Sequence, residues 1–115
     1  MFHSQFCRSL AGAAFVSGCA MLLSGCASRG PEPLEIRDAR LAIQDARSAG
    51  ADQLAPDLVN AAAAHLTTAQ NVWRDRGDSG QTIHYARLAD SEARNAQFRA
   101  RARRAREALE LSNRR

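Results

Sequence analysis

Lysine is absent from this sequence of 115 residues, so all sixteen cationic side chains are arginine. Aromatic residues make up 5% of the chain. Since large apolar side chains are scarce, alanine must form most of any core, and each alanine buries little apolar area. A chain of this length and composition is expected to form one small domain with a marginally stable core.

Motifs of catalysis and cofactor binding are missing as well. The sequence has no glycine-rich phosphate loop, no zincin motif and no Cys-x-x-Cys pair. His65 and His84 have no evident third ligand, so a zinc site is not expected. We therefore expect no enzymatic activity and no bound metal.

Two short matches to known motifs have simpler explanations. GDSG at 77–80 resembles the nucleophile segment of trypsin-like proteases, but Gln81 follows it instead of glycine, and the chain is too short for that double-barrel fold. RGD at 76–78 matches the integrin-binding tripeptide. A turn between two helices requires the same residue types, so we interpret both segments as a turn.

The first 25 residues have the organisation of an export signal. Arg8 is followed by an uncharged, largely apolar run to Leu23, and then by Ser24 and Gly25. A short positive region, an apolar core and a small-residue site are typical of a secretory signal peptide. The run is shorter than the about 20 apolar residues of a transmembrane helix, although an uncleaved anchor remains the alternative.

The segment LSGC, Leu23 to Cys26, resembles the bacterial lipobox. The resemblance implies cleavage before Cys26, a diacylglycerol on its thiol and an acyl chain on the new amine, and these lipids are the only cofactors expected. Two or more chains anchor a protein stably to a membrane. VSGC at 16–19 is a second candidate, with a shorter apolar core.

This cleavage also determines the fate of the other cysteines. Cys7 and Cys19 are removed with the signal, so the mature chain is expected to have no free thiol and no disulfide. Ala27, not aspartate, follows the lipidated residue. In lipoproteins of Gram-negative bacteria this difference implies the outer membrane, with the protein facing the periplasm.

The remaining sequence predicts an all-α fold. Residues 26–33 form the lipidated start and a flexible tether with two prolines, 34–105 an alanine-rich helical domain, and 106–115 a basic helix end. Helices are expected over about 32–49, 56–76 and 81–112, without strands. Gly50 ends the first, Pro56 starts the second, and Gly77 with Asp78 or Ser79 separates the last two.

Each predicted helix has an apolar stripe at spacings of three and four residues. The stripes are Ile36, Ala39, Ile43 and Ala46; Leu58, Ala62, Leu66, Ala69 and Trp73; and Ile83, Ala86, Ala89, Ala93, Ala96 and Ala100. The five alanines of the last helix have near-heptad spacing and form a predicted packing face. We expect an elongated helical hairpin or three-helix bundle, completed by self-association or a partner.

Arginine is concentrated at the C-terminal end of the last predicted helix. The candidate anion-binding residues there are Arg99, Arg101, Arg103, Arg104 and Arg106. They project around most of the helix, so this end is expected to protrude from the bundle. One interpretation is a solvated helix end. The other is contact with phospholipid, lipopolysaccharide phosphate or an acidic protein; export argues against nucleic acid.

Two segments together resemble a known bacterial family. They are AIQDARSAGADQLAPDLVNAAAAHLTTAQ (42–70) and, after a glycine turn, ARLADSEARNAQFRARA (86–102). The family is domain of unknown function 4398, alanine-rich helical lipoproteins often encoded near, or fused to, an OmpA-like peptidoglycan-binding domain. The resemblance covers about 36–105. It implies an OmpA-like or other envelope protein as partner and supplies no catalytic residues.

These observations predict a non-enzymatic lipoprotein of the cell envelope. It is anchored through Cys26 in the outer membrane and presents a helical packing surface to an envelope partner. The alternative is an anion-binding module that uses the arginine-rich end of the last helix.

Overall fold

The fold is entirely helical over the part of the chain that the structure describes. A computed structural model describes residues 30–115, and 86% of these are helical. The helices are α1 (Leu34–Ser48), α2 (Ala51–Leu54), α3 (Pro56–Arg76) and α4 (Gly80–Asn113), and this range contains no strand. The predicted all-α fold is therefore confirmed. Cys26, the lipobox residues Leu23, Ser24 and Gly25, and the rest of the signal lie outside the described residues.

Helix ends coincide with the turn residues of the sequence. Gly50 and Gly77 have positive φ angles of 81° and 72°, which glycine adopts without steric cost, and they follow α1 and α3. Pro56 is the first residue of α3, where its missing N–H is not needed. Of the two candidate caps for α4, Ser79 takes the role, because its hydroxyl accepts a hydrogen bond from the Thr82 N–H at 3.3 Å.

The segment between the first two predicted helices differs from the expectation. It contains the helical turn α2, so the described chain has four helices and not three. The turn places Ala51 and Ala55, which are 0% and 3% exposed, against Ala96 and Ala100 of α4. Burial of these small side chains stabilises a turn that is too short to be recognised from periodicity.

Three layers of packed side chains define the directions of the helices. The first layer contains Ile36, Ala69 and Ala86; the second Ala42, Ile43, Ala62 and Ala93; the third Ala46, Ala51, Ala55, Val59, Ala96 and Ala100. Residue numbers rise through the layers along α1 and α4 and fall along α3. Hence α1 and α4 are parallel, α3 is antiparallel to both, and α2 lies at the end of the bundle where α1 ends.

Alanine dominates this core. Twelve of the fifteen buried hydrophobic residues are alanines. The predicted packing face of α4 lies in this core, and each of its members is 0% exposed: Ala86, Ala89, Ala93, Ala96 and Ala100. Larger side chains such as Leu66 and Trp73 are half-buried at the edges of the layers. Because interaxial distance depends on side-chain size, alanine contacts let the helices approach closely.

At two positions of the predicted apolar stripes, the residue next to the predicted one in the sequence is buried in its place. At the start of α4, Thr82 is fully buried, whereas Ile83 is half-buried. The Thr82 hydroxyl donates to the Gly77 carbonyl oxygen at 3.0 Å and also contacts the Ser79 hydroxyl, so the cap holds it inward. On α3, Val59 is buried at 2% exposure in place of the predicted Leu58.

The alanine packing predicts a strong dependence on side-chain size. Ala93→Leu forces three extra carbon atoms into the layer with Ala42, Ile43 and Ala62, and we expect the free energy of unfolding to fall by about 1–3 kcal/mol. The matched control is Ala108→Leu on the exposed end of α4, with an expected change below about 0.5 kcal/mol. Urea denaturation followed by far-ultraviolet circular dichroism measures both. Equal stability of the two variants would contradict the close packing of α4.

Candidate docking surface

Helix α4 continues well beyond the helices that it packs against. Ala100 is its last buried residue, Ala102 is half-buried, and every residue from Arg103 to Arg115 is exposed. At 1.5 Å per residue, the part of the helix after Ala100 is about 20 Å long. We refer to residues 101–115 as the arm. The arm is a single helix over most of its length, with solvent around it.

The arm carries a concentrated positive charge. It contains six arginines and two glutamates. The five candidate anion-binding residues are all exposed, and none forms an ion pair within 4.0 Å of an acidic group in residues 30–115. They are Arg99, Arg101, Arg103, Arg104 and Arg106. Except for Arg104, whose guanidinium lies against Gly50, their guanidinium groups are therefore available to an anionic partner.

Arg104 is the arm residue that reaches back to the bundle. Its guanidinium lies against Gly50, at the C-terminal end of α1, so closely that a Cβ atom on Gly50 would overlap it. A cation at this position is favoured by the partial negative charge at the end of a helix. Arg104 thus helps to fix where the arm leaves the bundle.

A shallow groove between α1 and α4 leads towards the arm. Its α1 wall includes Asp38 and Asp45, and its α4 wall includes Arg94 and Arg101. The Nε atom of Arg94 donates to both carboxylate oxygens of Asp90, at 3.0 and 2.8 Å. This hydrogen bond, with the charges of Asp38 and Asp45 adding, raises the pKa of Arg94 above its ordinary value. The groove therefore has an acidic and a basic wall.

One polar cluster connects α3 to α4. The Nδ1 atom of His65 lies 2.7 Å from the Oε2 atom of Glu92, and the imidazole stacks on Tyr85 with 6.2 Å between ring centroids. The ring of His84 meets Tyr85 edge-on at 5.3 Å. Sequence periodicity could not find the pairing of His65 with Glu92, because these residues lie 27 positions apart on different helices. In residues 30–115, no group of three or more histidine, cysteine, aspartate or glutamate side chains is arranged to hold a metal ion.

The exposed large apolar side chains are few and unevenly placed. Leu34, Leu41, Phe98, Leu109 and Leu111 are between 57% and 72% exposed. Phe98 and Leu109 lie on one line of α4 with Ala102 and Ala105, at spacings of four, three and four residues. This outer line faces away from the alanine core. Sequence periodicity did not reveal this line, because the alanine spacing of α4 marks the opposite, buried face of the helix.

The bundle has two functionally different ends. Ile36, near the start of α1, lies in the same layer as Ala86 of α4, and α4 then runs parallel to α1 as far as Asn113. The distance along α4 from Ala86 to Asn113 is about 40 Å. The N-terminal tether therefore joins the bundle at the end opposite to the arm. None of the described helices has both the length and the apolar character needed to cross a bilayer.

Comparison with known families agrees with these features. The sequence matches domain of unknown function 4398 over residues 34–110. The chain belongs to this family. No curated protein and no solved structure matches the chain.

The limits of the DUF4398 domain coincide with features of the fold. The match begins at Leu34, the first residue of α1, and continues to Glu110, which lies inside the arm. The family domain thus includes the whole alanine bundle and most of the arm.

The exposure of the arm predicts that the DUF4398 bundle is stable without residues 105–115. Ending the chain after Arg104 removes only exposed residues, so we expect the free energy of unfolding to change by less than about 1 kcal/mol. Ending the chain after Arg94 removes the buried Ala96 and Ala100 and is expected to abolish cooperative unfolding. Thermal denaturation followed by circular dichroism compares the two. Loss of cooperativity in the longer variant would show that the arm is part of the core.

Proposed function

We propose that this protein is a non-enzymatic lipoprotein of the cell envelope that presents the arm of α4 to an envelope partner. The anchor is the lipidated Cys26, and the location is the outer membrane, with the bundle facing the periplasm. The observation that supports docking best is that α4 continues past Ala100 as an exposed, arginine-rich helix. The lipobox resemblance of residues 23–26 supports the anchor.

The predicted packing face of α4 is not the docking surface in this proposal. All five of its alanines are 0% exposed because they contact α1, α2 and α3. A partner therefore meets the arm and the groove that leads to it. An OmpA-like or other envelope protein with an acidic surface would complement the arginines there.

The positions of the tether and the arm at opposite ends of the bundle support such a role. The tether enters at the start of α1, and the arm leaves at the other end, with its tip about 40 Å away along α4. A bundle that stands on the membrane would hold the arm away from the lipid surface, within reach of a periplasmic protein. This arrangement suits a spacer or adaptor.

The absence of catalysis is also part of the proposal. His65 and Glu92 form the most suggestive pair in the described chain, but Tyr85 covers the imidazole and the pair joins α3 to α4. We interpret this cluster as a structural contact between helices. A hydrogen bond of this kind contributes about 1 kcal/mol to the free energy of unfolding, which is in keeping with a structural role for the pair.

Cys26→Ser tests the anchor. We expect the unmodified variant to retain its signal and to lack the mass of the lipid, so that any remaining membrane association comes from the uncleaved apolar signal and not from acyl chains. Intact-mass spectrometry and membrane fractionation measure these changes. Cys19→Ser is the matched control and should leave both mass shift and fractionation unchanged. An unmodified, full-length wild-type protein would contradict lipidation.

Anion binding is a second candidate function, favoured by the unpaired arginines of the arm. Its test compares two triple variants that lose the same charge. The arm variant changes Arg101, Arg103 and Arg106 to Gln, and the bundle variant changes Arg37, Arg74 and Arg76 to Gln. All six are exposed. We expect only the arm variant to lose salt-sensitive binding to phosphatidylglycerol vesicles in a flotation assay. Equal losses would show that net charge, and not the arm, controls binding.

A further inference from the structure

The outer line of α4 has the pattern of a helix that lies on a membrane surface. Phe98 and Leu109 are 72% and 65% exposed, and Ala102 and Ala105 lie between them on the same line. Uncharged side chains therefore cover one continuous strip of the arm. Phe98 and Leu109 are about 16 Å apart along the helix, so it is the uncharged strip together with flanking arginine that matches a helix lying in a membrane interface.

Charged side chains are arranged asymmetrically around this strip. At 100° per residue, Arg101 and Arg106 flank it on either side, each about 70° from its centre. Glu107 lies on the opposite side of the helix, and Glu110 is also turned away from the strip. Arginine at the border of an apolar strip can extend its guanidinium to lipid phosphates while its stem contacts the apolar region.

Acidic side chains beside this face are occupied by partners within the bundle. The Asp90 carboxylate binds Arg94 at 2.8 Å, and Glu92 binds His65 at 2.7 Å. Asp38 and Asp45 lie on α1, across the groove. On the outer side of α4, Arg94 is paired with Asp90 and Arg87 lies 3.8 Å from Glu35, whereas Arg101 forms no ion pair within residues 30–115.

We propose that the outer line of α4 docks on an anionic phospholipid surface, with Phe98 and Leu109 entering the interface and Arg101 and Arg106 binding phosphates. This inference rests on the anion-binding candidate above and assigns it a face and a lipid partner. It also defines an orientation. The tether and the arm, which are about 40 Å apart, reach the same membrane only when the bundle lies along it.

Leu111 provides a matched control for Leu109. Both are exposed leucines of the arm, at 63% and 65%, but Leu111 lies about 160° around the helix from Leu109. The probe is tryptophan at either position, Leu109→Trp or Leu111→Trp, with Trp73→Phe to remove the native signal. The full protein isolated from cells is reconstituted in vesicles that contain brominated lipids, either neutral phosphatidylcholine or a mixture with phosphatidylglycerol.

The expected result is a blue shift and quenching of the tryptophan at 109 in anionic vesicles. The probe at 111 should show neither change. Salt at 0.5 M should reverse the effect at 109, because the Debye length, about 8 Å at physiological ionic strength, becomes shorter and weakens the attraction between arginine and lipid phosphate. In the 109 probe background, Arg101→Gln with Arg106→Gln should abolish quenching. Arg103→Gln with Arg114→Gln removes the same charge from the far side, without touching the contact of Arg104 with Gly50, and should retain most of the quenching.

Four outcomes would overturn the proposal. The first three are equal quenching at 109 and 111, quenching in neutral vesicles as strong as in anionic ones, and equal effects of the two arginine pairs. The fourth is the absence of quenching at both probes, which is expected if the arm binds an acidic protein instead. Failure of lipid anchoring is distinguished separately, since it appears in the mass and fractionation of Cys26→Ser and does not affect the comparison between 109 and 111.

Discussion

Close contact between alanine side chains is the interaction on which this structure depends. Twelve of the fifteen buried hydrophobic residues are alanine, and α4 supplies a complete face of them to its neighbours. Each contact removes little apolar surface from water, so the bundle depends on a short distance between helices and on many small contacts along its length. Apart from Ile36, Ile43 and Val59, large apolar side chains are not accommodated between such closely packed helices. Trp73 and Leu66 are therefore found at the edges, and Phe98 and Leu109 on the outside.

The length of α4 relative to its neighbours produces the arm. Helix α1 ends at Ser48, and α2 turns the chain back into α3 at the level of Ala96 and Ala100. Beyond that level no other helix of residues 30–115 packs against α4. Its residues there are mainly alanine and arginine, which have high helix propensity, so the helix continues in solvent as far as Asn113. The exposed arm is thus a direct consequence of where the other helices end.

The proposed functions use this arm in two different orientations. Docking on an acidic envelope protein suits a bundle that stands on the membrane, with the arm remote from the anchor. Docking on anionic lipid requires a bundle that lies along the membrane, with the outer line of α4 facing it. The arginines favour both partners through the same charge interaction. The apolar strip between Arg101 and Arg106 is what favours the lipid surface.

The local features of this protein follow from short-range preferences in its sequence. Gly50, Pro56 and Gly77 specify helix ends through their backbone preferences, and the three- and four-residue spacing of alanine specifies the buried face of α4, since both effects act within a few residues. The tertiary structure decided the helical turn α2, the inward position of Thr82 and the pairing of His65 with Glu92. These features depend on contacts between segments distant in sequence, and no local pattern encodes which distant residue will be the neighbour. The same holds for the arm. Its charge is evident in the sequence, but the packing of the bundle determines that Ala100 is the last residue of α4 that the neighbouring helices bury.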